Sequence, residues 1–212
     1  MRIEDVLVKA EPYLCVPAVL ETVFKFFGIH CYNQQSIASC FAVHVPPCAK
    51  QMVKNPVIDD NPSNWGIRID KDGINQLFRR LEIPLREKFI SITEIMDEVL
   101  FEEKLDSILK VGHVAICGYN YSALYGSNNG EFRHVSIIVS LNKDNDEVLI
   151  ADPGPKGYGL QRVKIENLFF SIRRAGDGVW EIEPGSVSEL RTEYGNTELK
   201  YNGQNKARST QT

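Results

Sequence analysis

Hydrophobic residues recur with a helical period in the first half of the chain. Over Cys15 to Phe27, CVPAVLETVFKFF, the positions Val16, Val19, Leu20, Val23, Phe24 and Phe27 share one face opposite Glu21, Thr22 and Lys25, which predicts a buried amphipathic helix. Pro17 fits only the first turn, where its missing N–H costs no bond, and Gly28 suits the position just past the end. Those two residues set Cys15 at the helix start. A short helix is expected over Asn33 to Phe41, followed by a long irregular stretch with prolines at 46, 47, 56 and 62, ending near Trp65 and Gly66. Loops of that length usually carry function. A third helix, with Ile74, Leu77, Phe78 and Leu81 inside, is expected to be capped by Asp70 or Asp72 and to stop before Pro84. Ser91 and Glu94 form a capping box for a fourth, with Ile95, Met96, Val99, Leu105, Ile108 and Leu109 on its apolar face and Gly112 at its end.

After Gly112 the pattern becomes that of sheet. His113 to Tyr119, His134 to Leu141 and Glu147 to Ala151 are β-branched runs separated by Gly, Asn and Asp clusters, with further strands expected at Leu160 to Ile165 and Val179 to Glu183. Helices first and sheet second predict an α+β fold in one domain over residues 1–184. Residues 185–212 are polar and are expected to form a surface or disordered tail.

Composition narrows the function. The 212 residues carry 24 basic and 28 acidic side chains, net −4, so the basic excess that phosphate backbones select is missing and nucleic acid is not an expected partner. There is no apolar run long enough to span a membrane and no export signal in MRIEDVLVKAEPYL, so a cytoplasmic protein without membrane attachment is expected. Five cysteines, none in a C-x-x-C pair, read as reduced thiols.

Cys15 is the best nucleophile among them, because the unpaired amides of a helix's first turn favour thiolate over thiol. A thiolate needs a base, and the base an orienting acceptor. His134 opens HVSIIVSL and Asp152 closes EVLIAD; a hairpin turning through Asn142 to Asp146 brings the start of one strand beside the end of the other. Taken singly, each has a plainer role: a core cysteine, a strand-edge histidine and an Asp-Pro turn.

The segments LCVPAVLETVFKFFGI, NQQSIA, HVAICGY, RHVSIIVSL and VLIADPGP, in that order, resemble the papain-like cysteine peptidase superfamily. Within it they are similar to the branch of bacteriocin-processing, double-glycine leader peptidases and their single-domain relatives. The similarity runs over roughly residues 5 to 183 by motif order. It implies a helical half packed on an antiparallel sheet, Cys15 as nucleophile, His134 as general base, Asp152 as its orienting residue, a peptide or other acyl substrate, and no cofactor. Members commonly carry a glutamine six residues before the nucleophile, donating to the oxyanion, whereas this chain has Lys9 there and Glu11 nearby. Losing one such donor costs about 100 to 1,000-fold in rate, so a weakened hydrolase, an acyltransferase or transglutaminase-like enzyme, and a binding module on the same scaffold stay open.

Three further features are weaker. Trp65 and Gly66 would either wall a substrate cleft or anchor their loop. His113 heads a strand as His134 does, with no acid at hairpin distance, and is a cleft-wall or packing residue. Cys40, His44 and Cys48, with His30 and Cys31 upstream, have zinc-binding side chains but no finger-like spacing, so no metal is expected. Oligomeric state is not legible.

Overall fold

The computed structural model describes residues 1–69, 73–126, 132–154 and 157–185. Two groups of elements follow one another along the chain. The first comprises α1 (Cys15–Phe26), α2 (Gln34–Ala38), a parallel pair β1 (Val43–Val45) and β2 (Pro56–Ile58), α3 (Gly73–Arg80), β3 (Leu85–Ser91) and α4 (Glu98–Lys110). The second comprises β4 (Val114–Asn120), α5 (Tyr121–Tyr125), β5 (Arg133–Asn142), β6 (Glu147–Asp152), β7 (Gly159–Lys164), α6 (Ile165–Ala175) and β8 (Gly178–Pro184). Six strands form one sheet in the order β3-β8-β4-β5-β6-β7, antiparallel throughout.

Both faces of the sheet are covered. On one, Leu20, Val23 and Phe24 of α1 and Leu77 and Phe78 of α3 pack on Ile116, Ile137 and Ile182. On the other, Phe101 and Leu105 of α4 and Leu168 and Ile172 of α6 pack on Ala115, Ile138 and Ile150. A sheet with no solvated face has no reason to alternate, and every residue of β4 is buried. At about 25 cal/mol per Å² of apolar area, these two cores supply most of the drive to fold.

The α+β class and the helix starting at Cys15 agree with the sequence reading. Asn33 caps α2 through the Ser36 amide, with Ser36 returning the bond. Four details differ. Ser91 caps only a 3-10 turn at Ile92–Glu94; α4 begins later, where Asp97 accepts from the Leu100 amide at 2.9 Å, so Met96 and Val99 are exposed. The expected helical half contains a strand, β3, whose inward Glu87 is held by Asn75. The sheet half contains a helix, α6, so helices and strands are not segregated in sequence, and Ile165 belongs to that helix rather than to β7. The long irregular stretch holds β1 and β2. Asp70, Asp72 and the expected tail beyond Gly185 lie outside the described residues.

Candidate active site

The nucleophile candidate is placed by a helix with an open N-terminus. Leu14, the residue before Cys15, is fully buried and offers no capping side chain. The first-turn amides therefore have no side-chain cap. Chain entry is tight: Pro12 and Tyr13 make a turn closed by the Leu14 amide on the Glu11 carbonyl at 3.0 Å, with Tyr13 at φ +67°. That left-handed conformation costs a tyrosine about 1–2 kcal/mol. It is held because the Tyr13 ring meets Trp65 edge-on at 6.0 Å.

His134 and Asp152 come from neighbouring strands. In the β5–β6 ladder Ile137 lies opposite Ala151, which brings Asp152 within reach of His134, as the hairpin spacing predicts. His134 Nε2 and Asp152 Oδ1 are 2.8 Å apart. Asp152 Oδ1 also accepts the Gly154 amide at 2.7 Å, and Oδ2 accepts the Tyr119 hydroxyl at 3.3 Å. With Nε2 on the acid, Nδ1 of the ring is left unengaged by Asp152, and Cys15 lines the same cleft wall close enough to His134 to raise it. Tyr119 and Tyr121 each face the imidazole edge-on at 5.6 Å. Thus the His134–Asp152 pair is hydrogen-bonded, and Cys15 and His134 line the same cleft.

Electrostatics follow from that enclosure. Burial of His134 works against its charged form, but the Asp152 hydrogen bond and the nearby Cys15 and Asp152 charge outweigh it and raise the imidazole to about 9. Burial likewise works against ionised Asp152, and the His134 bond, its charge, and the Gly154 and Tyr119 donors hold the carboxyl below the usual range. Tyr119 is pushed far up by burial and by the Asp152 charge.

Two cleft limbs meet at Cys15 and His134. One, about 230 Å³, is walled by Tyr13, Trp65, Tyr121 and Phe132, with Glu11 at its edge. The other, about 420 Å³, runs past Ile67, Phe89 and Trp180, with Arg68, Arg133 and Asp177 contributing charge. Trp65 and Gly66 line both limbs. Trp65 also anchors its loop, its indole N–H donating to the Asp59 carbonyl at 2.8 Å. Gly66 is a wall rather than a strand-like grip, since its own N–H and C=O pair with His44 at 2.8 Å each.

The remaining candidates divide. Glu11 lines the cleft and its carboxylate accepts from Gln35. Lys9 is turned away: its ammonium lies 5.9 Å from the centre of the Tyr158 ring, and its carbonyl accepts from Gln34 at 3.1 Å. Lys9 therefore does not take the place of an oxyanion glutamine. His113 is not in the cleft. It precedes β4, whose far end carries Tyr119 opposite His134, and its Nδ1 sits 2.7 Å from Glu181 and 3.5 Å from Glu183. Its acid partner exists, on β8, beyond the reach of a hairpin rule. Cys40 donates to the Ser36 carbonyl and His44 pairs with Asp59, so these two side chains are engaged separately.

Sequence reasoning missed three contributors. Tyr119 and Ser136 are polar residues inside apolar strands, and only strand register reveals that they meet near Asp152. Gln34 follows the nucleophile but holds the loop before it: Oε1 accepts the Glu11 amide at 2.9 Å while Nε2 binds Lys9. The Ala10 amide on the Pro153 carbonyl, 2.8 Å, ties the same loop to the Asp152 turn. The NQQ run at the start of the expected second helix was the available signal.

No family model matches the chain, and no curated protein matches it. Among solved structures it is similar to a proposed C39-like peptidase from Bacillus anthracis, with 15% identity, a TM-score of 0.56, and coverage of 86% of this chain and 96% of that one. No helix among the described residues is long and apolar enough to cross a membrane. At that identity the likeness is one of architecture: the chain shares the α+β fold of that C39-like structure.

Proposed function

We propose that the protein is a cysteine peptidase-like hydrolase acting on an extended peptide or related amide. The observation that carries this reading is that Cys15 and His134, the latter hydrogen-bonded to the buried Asp152, line both cleft limbs where they meet. Cys15 Sγ attacks the acyl carbon, and the charge on its oxygen faces the first-turn amides of α1. His134 Nδ1–H then gives its proton to the departing amine as the C–N bond breaks, leaving a thioester on Cys15. Water attacks that thioester, losing a proton to His134; the C–S bond breaks, and the acid leaves. Asp152 keeps the imidazole in the tautomer that turns Nδ1 to sulfur. Lys9, held over Tyr158, supplies no donor, so turnover is slow compared with an enzyme that has a side chain at the oxyanion.

The same observation about Lys9 favours a second reading, a binding module in which acylation or turnover has been lost. An activated-ester burst separates them. The hydrolase reading expects one acyl group per chain followed by steady turnover, both abolished in Cys15→Ala; a burst equal in the two proteins refutes it. An added amine that takes the acyl group in place of water would make the enzyme an acyltransferase. The bacteriocin-processing resemblance implies two glycines before the scissile bond, and peptides with Gly-Gly against Ala-Ala at that place test it.

A further inference from the structure

We infer that Tyr119, backed by Ser136, is the positioning residue of the site: its hydroxyl fixes the Asp152 carboxylate so that the other oxygen faces His134. This deepens the hydrolase reading and rests on it. The Tyr119 hydroxyl lies 3.3 Å from Asp152 Oδ2 and 2.9 Å from Ser136 Oγ. All three residues are fully buried, and they come from β4, β5 and β6, adjacent strands of the sheet centre.

Asp152 Oδ1 is already occupied by His134 and the Gly154 amide. Among the described residues, Tyr119 is the one side chain that donates to Oδ2. The hydroxyl can give only one proton, so when it donates to Oδ2 the Ser136 hydroxyl must donate to Tyr119. The order of donation is then Ser136 to Tyr119 to Asp152, and His134 to Asp152 from the other side. A buried carboxylate with one oxygen unpaired is costly and free to rotate about its last torsion. Either rotation or protonation would weaken the hold on the His134 N–H. Gly157 closes the same pocket, since a Cβ there would stand 3.1 Å from Oδ2.

The groups facing this carboxylate are few. From β4 come Tyr119 and Cys117, from α5 Tyr121 and Tyr125, from β5 His134, and beyond His134 the Cys15 thiol of α1. Burial, with the Asp152 charge adding to it, pushes up the three tyrosines and Cys117, so all four stay protonated through neutral pH. His134 pairs with the same carboxylate, and a titration of its ring therefore reads the Asp152 environment.

The experiment compares the full chain with Tyr119→Phe, Ser136→Ala and His134→Ala. Alkylation of Cys15 by iodoacetamide is followed by mass spectrometry from pH 5 to 10, and the His134 ring by NMR over the same range. Wild type is expected to show an inflection near the His134 value, absent in His134→Ala. In Tyr119→Phe that inflection should fall by about one pH unit, a tenfold weaker hold on the proton, and in Ser136→Ala it should fall less. A residue that only packs would lower the melting temperature and leave the inflection in place, which overturns the inference. Should Tyr119→Phe not fold, an unshifted inflection in Ser136→Ala overturns it equally. If His134→Ala and wild type give the same profile, Cys15 and His134 are uncoupled, and it is the hydrolase reading that fails.

Discussion

Replacing Asp152 with asparagine removes one charge while keeping the shape of the side chain. Three donors converge on the carboxylate: His134 Nε2 at 2.8 Å and the Gly154 amide at 2.7 Å on Oδ1, and the Tyr119 hydroxyl at 3.3 Å on Oδ2. An amide has one oxygen to offer; placed toward His134 and Gly154 it keeps those two bonds and leaves its NH2 to the Tyr119 hydroxyl, which can accept, so the main loss is the charge. The loss also reaches the imidazole. His134 stands at about 9 against an ordinary 6.5, with burial pulling it the other way. That difference corresponds to about 3 kcal/mol favouring the imidazolium, shared between Asp152 and Cys15. Without the carboxylate, burial becomes the leading effect and His134 falls toward or below its ordinary value.

The sign of the pH dependence follows. A raised His134 stabilises the fold fully below pH 6.5, and that contribution disappears as pH rises through about 9. Asp152, lowered, contributes above the ordinary carboxylate value and loses its share as pH falls through its own lower one. Asp152→Asn should therefore be less stable than wild type by about 2–3 kcal/mol at pH 6, with the gap narrowing toward about 1 kcal/mol at pH 10, where only a neutral hydrogen bond is at stake. Urea unfolding at constant ionic strength measures this, provided the two proteins share one m value. A gap that stays constant from pH 6 to 10 would refute the charge coupling.

Other outcomes follow from the loop before Cys15 and from the cleft wall. Tyr13→Gly relieves the strain at φ +67°, so stability should hold within about 1 kcal/mol while KM rises severalfold for a peptide bearing an aromatic side chain; unchanged KM counts against Tyr13 as a wall. Gln34→Ala cuts the bonds to Glu11 and Lys9 and should cost about 2 kcal/mol, with faster amide exchange at Glu11. Exchange as slow as in wild type would mean the loop is held by other contacts. Lys9→Gln should leave kcat/KM within about twofold, because the position 9 side chain lies over Tyr158; a gain of about a hundredfold, the worth of an oxyanion donor, would show that it reaches the cleft.

What was legible in the sequence sits at element boundaries. The helix that Cys15 opens is marked by Pro17 in its first turn and Gly28 past its end, and each acts on its own end of that helix. His134 and Asp152 belong to one hairpin, so their meeting is a local matter of register. By contrast, His113 finds Glu181 through β4–β8 pairing, a contact 68 residues apart that no short pattern encodes. Tyr119 and Ser136 are hidden for the same reason. The helix α6 escaped notice because Lys164, at its cap position, makes no capping bond, although Ile165, Leu168, Ile172 and Ala175 have the helical spacing and are buried. In β3, Glu87 points inward to Asn75 and breaks the alternation by which a strand is recognised.

The boundary residues and the hidden ones divide the chemistry between them. Cys15, His134 and Asp152 are each delivered by a local signal, yet none is held by its own element alone. Asp152 depends on Tyr119 from β4 and on the turn to Gly154. The chain entering Cys15 depends on Gln34, which stands after the nucleophile in sequence, and on Pro153, which follows the acid. The Ala10 bond to Pro153 thereby joins the nucleophile loop directly to the acid turn. A displacement of either is shared by the other, and the separation of Cys15 from the imidazole is preserved. On the hydrolase reading this stitching preorganises the attack geometry, while the uncapped first turn of α1, with Leu14 offering no side-chain oxygen, leaves its amides to the oxyanion that the side chain at position 9 does not reach.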